Sequence, residues 1–259
     1  MRTYPWGIAA AVAIFAAAPA LGQRTPDPEP RSAAAREYAA CMRLARDDPR
    51  AAHESALAWQ QKGGGDAAIH CVAVALVGLG QHSQAARLLE EFAARTESTR
   101  ASLKAGLLGQ AAGAWTIAGR SPMAEKLLSE ALSLQPADID LRIDRSIARA
   151  AQGKYWEALD DLNAVLERAP DRRDALTFRA SAWRHVGAPE LARQDIDRAL
   201  ALRPNDPDAL LERGLIRKEA GDIGGARADW LQVLQIAVEG PLTEAARRNL
   251  ESIDVRKLP

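Results

Sequence analysis

Side chains that commonly perform acid–base or metal chemistry are few and scattered in this sequence. The four histidines, His53, His70, His82 and His185, share no spacing typical of a catalytic or metal site. The sequence contains no HExxH, no GxSxG and no phosphate-binding glycine loop, and neither cysteine lies in a context typical of a nucleophile. We therefore predict that the chain is not an enzyme and needs no cofactor and no metal ion.

The two cysteines, Cys41 and Cys71, are the residues whose chemistry the sequence indicates most directly. In an oxidising compartment an even pair is more often bridged than free, so we predict a disulfide between them. It would stabilise the fold by about 3 kcal/mol because it closes a long loop. Two separate buried thiols are the alternative. A metal site that includes His70 is disfavoured, since adjacent residues of a helix point about 100° apart.

The N-terminus indicates an oxidising compartment. Arg2 precedes an apolar run from Ile8 to Ala18, and the small residues Ala20 and Gly22 follow, which predicts a secretory signal peptide over residues 1–22. As a helix the apolar stretch is shorter than a bilayer core of about 30 Å, so cleavage is favoured over retention as an anchor. We predict a periplasmic or otherwise extracytoplasmic protein.

The balance of charges limits the class of partner, and the proline content predicts the conformation of the segment after the signal peptide. The 34 basic and 34 acidic side chains are interspersed and give a formal net charge of zero, which disfavours nucleic acid as a partner. Residues 23–32 contain Pro26, Pro28 and Pro30 and predict a short extended tether.

A 34-residue spacing organises most of the chain. Pro136, Pro170 and Pro204 follow it, and so do one series of glycines and one of alanines. The series are Gly119, Gly153, Gly187 and Gly221, and Ala124, Ala158, Ala192 and Ala226. Glycine suits a left-handed residue that ends a first helix, alanine lets two helices approach, and proline stops the second helix. The spacing thus predicts an all-α array of helical hairpins.

This pattern resembles the tetratricopeptide repeat. In the unit 173–206 the residues that carry the resemblance are Ala180, Trp183, Gly187, Ala192, Ile196, Ala199 and Pro204. The resemblance implies a right-handed superhelical solenoid of antiparallel helix pairs, with one break in phase where five residues are inserted around Thr96 to Arg100. The implied parts are degenerate N-terminal hairpins at 33–98, the repeat array at 99–240, and a capping helix with a tail at 241–259.

The resemblance also implies a concave groove lined by first-helix residues. Transferred position by position, the lining is His70, Val74, Gly109, Gly113, Thr116, Ile143, Ile147, Thr177, Ser181, Arg184, Leu211, Leu215 and Lys218. This lining is apolar to mixed, with basic residues only near its C-terminal end. Where some family members place the lysine and asparagine that clamp a peptide carboxylate, this chain has residues such as Ile143 and Ile147. Gly106, Gly109 and Gly113 share one helical face, either for close helix packing or to widen the groove for a ligand backbone.

Arginine and aspartate recur at the same 34-residue spacing. The arginines are Arg145, Arg179 and Arg213, and the aspartates are Asp161, Asp195 and Asp229. Charged residues that lean towards an interior persist only when they are paired, so we predict a structural ladder of ion pairs between helices. A functional basic stripe of Arg142, Arg145 and Arg149 is the alternative.

These features predict an exported, non-enzymatic scaffold that binds a protein or peptide of the cell envelope in its groove. Nucleic acid is not expected as a partner, and a membrane is expected only if the signal peptide is retained as an anchor. The alternative function is a non-catalytic subunit that positions an envelope enzyme or binds a small envelope ligand.

N-terminal sequencing of the protein recovered from producing cells tests the export prediction. We expect the mature chain to begin at Leu21 or Gln23, because signal peptidases cleave after small residues such as those at positions 20 and 22. A chain that still begins at Met1 would contradict cleavage and favour a membrane anchor.

Overall fold

The computed structural model describes residues 32–254, so the predicted signal peptide, the tether up to residue 31 and the last five residues lie outside the described residues. The described part contains thirteen α-helices, one 3₁₀ helix and no strand, which confirms the predicted all-α class. The helices are α1 Ala33–Asp47, α2 Pro49–Gln61, α3 Gly65–Gly78, α4 His82–Arg95, α5 Ala101–Ile117, α6 Ser121–Leu134, α7 Ile139–Ala150, α8 Tyr155–Arg168, α9 Arg173–His185, α10 Pro189–Leu202, α11 Pro207–Glu219, α12 Ile223–Ile236 and α13 Pro241–Asp254.

The described helices form two compact units, and the boundary lies between Asp144 and Arg145, within α7. In the N-terminal unit α1 packs on α2 and α3, and each of α2 to α5 packs on the next helix. In the C-terminal unit α9 packs on α10 and α11 on α12, while α9 also contacts α11 and α13 contacts both α11 and α12.

The turns between paired helices follow the predicted chemistry. After α9 ends at His185, Gly187 has a φ of +79°, and the N–H of Ala188 donates to the carbonyl of Trp183 over 2.9 Å. A residue with a Cβ is disfavoured in this left-handed conformation, so glycine permits the chain to reverse here. At the other end of the unit α10 stops at Leu202, two residues before Pro204.

Buried alanines recur at the repeat spacing on the second helices of the hairpins. Ala158, Ala192 and Ala226, which lie at the repeat spacing on α8, α10 and α12, are completely buried. A methyl group allows the two backbones of a hairpin to come close, and dense packing of this kind stabilises the core by dispersion and by removal of apolar surface from water.

The predicted disulfide is present between Cys41 on α1 and Cys71 on α3, with their Cα atoms 6.3 Å apart. The alternative of two free thiols is therefore wrong. Both sulfurs lie in the interior, with Cys41 5% and Cys71 0% exposed. The bridge ties the first helices of two consecutive hairpins together in the N-terminal unit.

The five inserted residues form a turn between α4 and α5. Ser98–Arg100 is a 3₁₀ helix, and the hydroxyl of the buried Thr96 donates to the carbonyl of Phe92 over 2.9 Å. Such a side-chain bond satisfies one of the carbonyls left open at the end of α4. The insertion therefore has a defined local structure.

Gly214 allows Trp230 to pack inside the last hairpin. A Cβ on Gly214 would lie 2.7 Å from Cδ1 and Cε2 of the Trp230 ring, which is completely buried. We expect Gly214→Ala to lower the free energy of unfolding by about 1–2 kcal/mol, because overpacking outweighs the gain in helix propensity. Urea denaturation followed by circular dichroism measures the change.

Gly106→Ala is the matched control for this substitution. Gly106 is an exposed position of α5 where no atom lies within 4 Å of an added Cβ, so alanine should stabilise the chain by about 0.5–1 kcal/mol. Equal effects of the two variants would contradict the packing explanation.

Candidate functional site

Five of the predicted groove residues do not face solvent. Gly113, Ile143, Thr177, Ser181 and Leu211 are buried, and Ser181 is only 1% exposed. For the residues of α9 and α11 the reason is direct packing of these two first helices, which covers the side chains between them. Their assignment to an open groove was wrong, because the resemblance gives a helical position and not its distance from the next helix.

The two predicted groove residues with a positive charge have partners within the C-terminal unit. Arg184 on α9 donates from Nε to Glu212 over 2.7 Å and from Nη1 to Glu219 over 2.8 Å. Burial lowers the pKa of Arg184, but the two carboxylates outweigh this and the pKa is raised. Lys218 donates from Nζ to the hydroxyl of Ser252 over 2.7 Å. These cations stabilise helix packing, and a ligand would have to compete for them.

Apolar and small residues form the accessible part of the predicted lining. Val74, Gly109 and Thr116 are half-buried in the N-terminal unit, and Ile147 and Leu215 are half-buried in the C-terminal unit. A Cβ on Gly109 would lie 2.8 Å from Cδ2 of Leu141, which favours close packing at that glycine over a widened groove. At these five positions a ligand would therefore contact mainly apolar or small side chains.

The repeated arginines and aspartates form three matching ion pairs in the C-terminal unit. In each pair the arginine donates from Nε and from Nη2 to the two carboxylate oxygens of the aspartate 16 residues later. The distances are 2.9 and 2.6 Å for Arg145 with Asp161, 2.7 and 2.7 Å for Arg179 with Asp195, and 3.0 and 2.7 Å for Arg213 with Asp229. This fork geometry suits guanidinium and carboxylate and joins the two helices of a hairpin.

A second arginine, which the sequence analysis did not assign to the ladder, joins two of the three pairs. Arg149 donates to Asp161 over 2.8 Å, and Arg217 donates to Asp229 over 2.8 Å. The sequence contains a pattern that could have predicted this role, because Arg149 and Arg217 are 68 residues apart, which is twice the repeat spacing. Since Arg145 and Arg149 both bind Asp161, the geometry disfavours the alternative of a free basic stripe.

The middle repeat differs from its neighbours. It has Trp183 where the neighbouring repeats have the second arginine. The Nη1 of Arg179, which does not bind Asp195, donates to the side-chain oxygen of Asn163 over 2.9 Å. The Trp183 ring lies edge-on to Trp156, whose residue is 64% exposed, with ring centroids 6.1 Å apart. The position is therefore aromatic where its equivalents carry charge.

A cavity of about 510 Å³ lies in the N-terminal unit, next to the predicted groove residue Val74. Its volume lies within the range of small-molecule sites, roughly 300–1,000 Å³. The walls are mainly aliphatic, and its lining residues are Ala45, Arg46, Pro49, Ala73, Val74, Val77, Gly78, Leu89, Gln110 and Ile117. Only Val74 of these belongs to the predicted groove. The other residues come from five different helices, and positions within a single repeat do not show that these helices meet.

His70, another predicted groove residue, links three helices beside this cavity. Its Nε2 lies 2.7 Å from Oε1 of Gln110 on α5, and its Nδ1 lies 2.8 Å from the hydroxyl of Tyr38 on α1. An amide oxygen can only accept, so Nε2 carries the proton and Nδ1 accepts from the tyrosine. Burial lowers the pKa of His70, partly opposed by the bond to Gln110, which favours the neutral ring.

Two negative findings apply to residues 32–254. No group of three or more His, Cys, Asp or Glu side chains there is arranged to hold a metal ion. In the same stretch no helix is both long enough and apolar enough to cross a bilayer.

Comparison with known families agrees with this architecture. Residues 143–207 and 186–241 match the family model of the tetratricopeptide repeat. The match supports tetratricopeptide repeats in this part of the chain. The three Arg–Asp pairs lie within the stretch that the family model matches.

One curated relative is the tetratricopeptide repeat and J domain-containing co-chaperone of Fusarium oxysporum f. sp. lycopersici. It is 31% identical over 120 residues, which cover 44% of this chain. The alignment spans 23% of that protein, so the chain covers about a quarter of its length.

Two solved structures have the same fold at low sequence identity. The C-terminal part of a tetratricopeptide repeat-containing protein from Cytophaga hutchinsonii aligns with a TM-score of 0.58 and 14% identity, covering 76% of this chain and 78% of that one. MamA from Desulfovibrio magneticus aligns with a TM-score of 0.54 and 19% identity, covering 65% and 92%. The fold is therefore a tetratricopeptide-like helical solenoid.

Asp229→Asn tests the structural role of the ion pairs. Asparagine has one acceptor oxygen where aspartate has two, and it lacks the negative charge, so at least one hydrogen bond and the charge compensation of Arg213 and Arg217 are lost. We expect a loss of about 2 kcal/mol in the free energy of unfolding, below the value for a fully buried pair because both arginines are partly exposed. Asp197→Asn on the exposed face of α10 is the control and should change little.

Urea titrations at pH 8 and pH 5 test the neutral state of His70. A folded-state pKa below the ordinary value of 6.5 means that the unfolded chain binds the proton more readily. The stabilising effect is therefore complete above pH 6.5 and decreases as the pH falls towards the folded-state pKa. We expect wild type to lose more stability at pH 5 than His70→Gln does, and equal losses would contradict a buried neutral ring.

Proposed function

We propose that this protein is an exported, non-enzymatic scaffold of the cell envelope whose first-helix surface binds a peptide or helix of a partner protein. Arrays of tetratricopeptide repeats present side chains of successive first helices along one face, which suits an extended or helical ligand. The relative with a repeat and a J domain is named a co-chaperone, which supports a role in binding other proteins.

The observation that carries the proposal is the state of the accessible first-helix residues. Ile147 and Leu215 are half-buried and apolar, so they retain surface that a ligand can cover. Arg184 and Lys218 have partners inside the unit, so charge contributes less to this surface than apolar contact does. Burial of apolar side chains is the main favourable term in such binding.

Export is part of the proposal and rests on the first residues of the chain. The pattern from Arg2 to Gly22 is that of a secretory signal peptide. The disulfide between Cys41 and Cys71 supports it, because structural disulfides form and persist in oxidising compartments.

Crosslinking in producing cells tests the binding surface. Tagged full-length wild type is compared with the double variant Ile147→Asp and Leu215→Asp, and captured proteins are identified by mass spectrometry. We expect one captured protein to decrease at least tenfold in the double variant, because two carboxylates would have to be buried in the interface. The purified candidate should then bind wild type and not the variant.

Leu231→Asp is the matched control, since Leu231 is 44% exposed and lies on the second helix α12. It should retain the captured protein. Thermal melting checks that each variant folds, and Ile147→Ser with Leu215→Ser replaces the aspartates if they unfold the chain. Identical captures from wild type and folded double variant would rule out this surface.

A further inference from the structure

The cavity in the N-terminal unit has features of a ligand site that are separate from the first-helix surface of the C-terminal unit. Its volume is about 510 Å³, and aliphatic side chains such as Val77, Leu89 and Ile117 dominate its walls. Part of this lining is open to solvent, since Ile117 is 42% exposed, so an apolar molecule could enter and cover it. A cavity of this volume and composition is typical of a site that an apolar molecule fills.

Covalent and polar links fix the walls in place. The disulfide joins α1 to α3, and His70 joins α3 to Tyr38 and Gln110. Helices α2 and α3 also pack closely at the cavity, since a Cβ on Gly78 of α3 would lie 2.7 Å from the ring of Pro49 of α2. The site is therefore preformed, and a ligand would not have to order it on binding.

Gln110 provides a hydrogen-bond donor with a fixed orientation on the cavity wall. Its Oε1 accepts from His70, which holds the amide plane and directs the amide nitrogen away from the imidazole. Within residues 32–254 this nitrogen has no acceptor. A few placed polar groups on an apolar wall are what orient a small ligand.

The charged group on the lining has a positive sign. Arg46 contributes to the wall, and among the described residues that line the cavity there is no Asp or Glu. A carboxylate bound there would therefore meet no like charge on the lining.

We propose that this cavity binds a small apolar molecule that carries a carboxylate, with the apolar body against the aliphatic walls and a carboxylate oxygen accepting from the Gln110 amide. This site is independent of the proposed scaffold function, because its lining belongs to the N-terminal unit and Ile147 and Leu215 belong to the other. Loss of either activity can therefore be measured without the other.

Isothermal titration of the purified mature protein tests the proposal with two probes that have the same alkyl chain. Decanoate has the apolar body and the acceptor, whereas decyltrimethylammonium has the body and a cation without an acceptor. We expect saturable binding of one decanoate per chain, and affinity for the ammonium at least tenfold lower. Binding of the two probes with equal affinity, or no saturable binding of decanoate, would overturn the proposal.

Two variants that fill the cavity locate the binding. Val77→Phe and Ile117→Trp add volume from different helices, and each should weaken decanoate at least tenfold. Val238→Phe is the matched control at a 90% exposed position and should bind as wild type does. If both folded filling variants retain wild-type affinity, decanoate binds elsewhere and the assignment is wrong.

Gln110→Glu tests the contribution of the Gln110 amide N–H groups to ligand binding. A carboxylate oxygen can still accept from His70, but the two amide N–H groups are lost. We expect this variant to lose the preference for decanoate over decyltrimethylammonium. An unchanged preference would mean that Gln110 does not contact the head group and would overturn the proposed orientation.

Discussion

Close approach of the two helices in each hairpin is the constraint on which the rest of the structure depends. Alanines at the repeat spacing, such as Ala158, Ala192 and Ala226, are completely buried, and a larger side chain there would overpack the interface. Gly214 extends the same principle, since the ring of Trp230 occupies the place of its side chain. The two helices of a hairpin are also joined by an arginine that donates to both oxygens of an aspartate.

The ion pairs show how charge is accommodated in such a tight interface. A carboxylate that is almost completely buried, such as that of Asp161, loses its hydration, and two arginines replace it with directed hydrogen bonds. The same logic applies to Arg184 with Glu212 and Glu219. Charged side chains thereby stabilise the hairpins of the C-terminal unit, while Ile147 and Leu215 keep apolar surface accessible on its first helices.

The N-terminal unit depends on other interactions. Its repeat spacing is broken around Thr96 to Arg100, and the regular Arg–Asp pair belongs to the C-terminal unit. A disulfide and the hydrogen bonds of His70 join its first helices instead. The cavity lies beside this link, and the two features share Gln110.

The sequence by itself determined the features that depend on local conformation and on period. Glycine at the left-handed turn residue, proline after the second helix and alanine at the crossing points are each required by local geometry, so the 34-residue spacing predicted the hairpins. The Arg–Asp pairing could be read in the same way, because both partners lie within one repeat. The tertiary structure decided everything that depends on distances between hairpins. It buried Thr177, Ser181 and Leu211, gave Arg184 its carboxylates and formed the cavity around Gln110, because these outcomes depend on how far apart neighbouring first helices lie. The spacing of residues within a single repeat does not determine the distance between the first helices of neighbouring repeats.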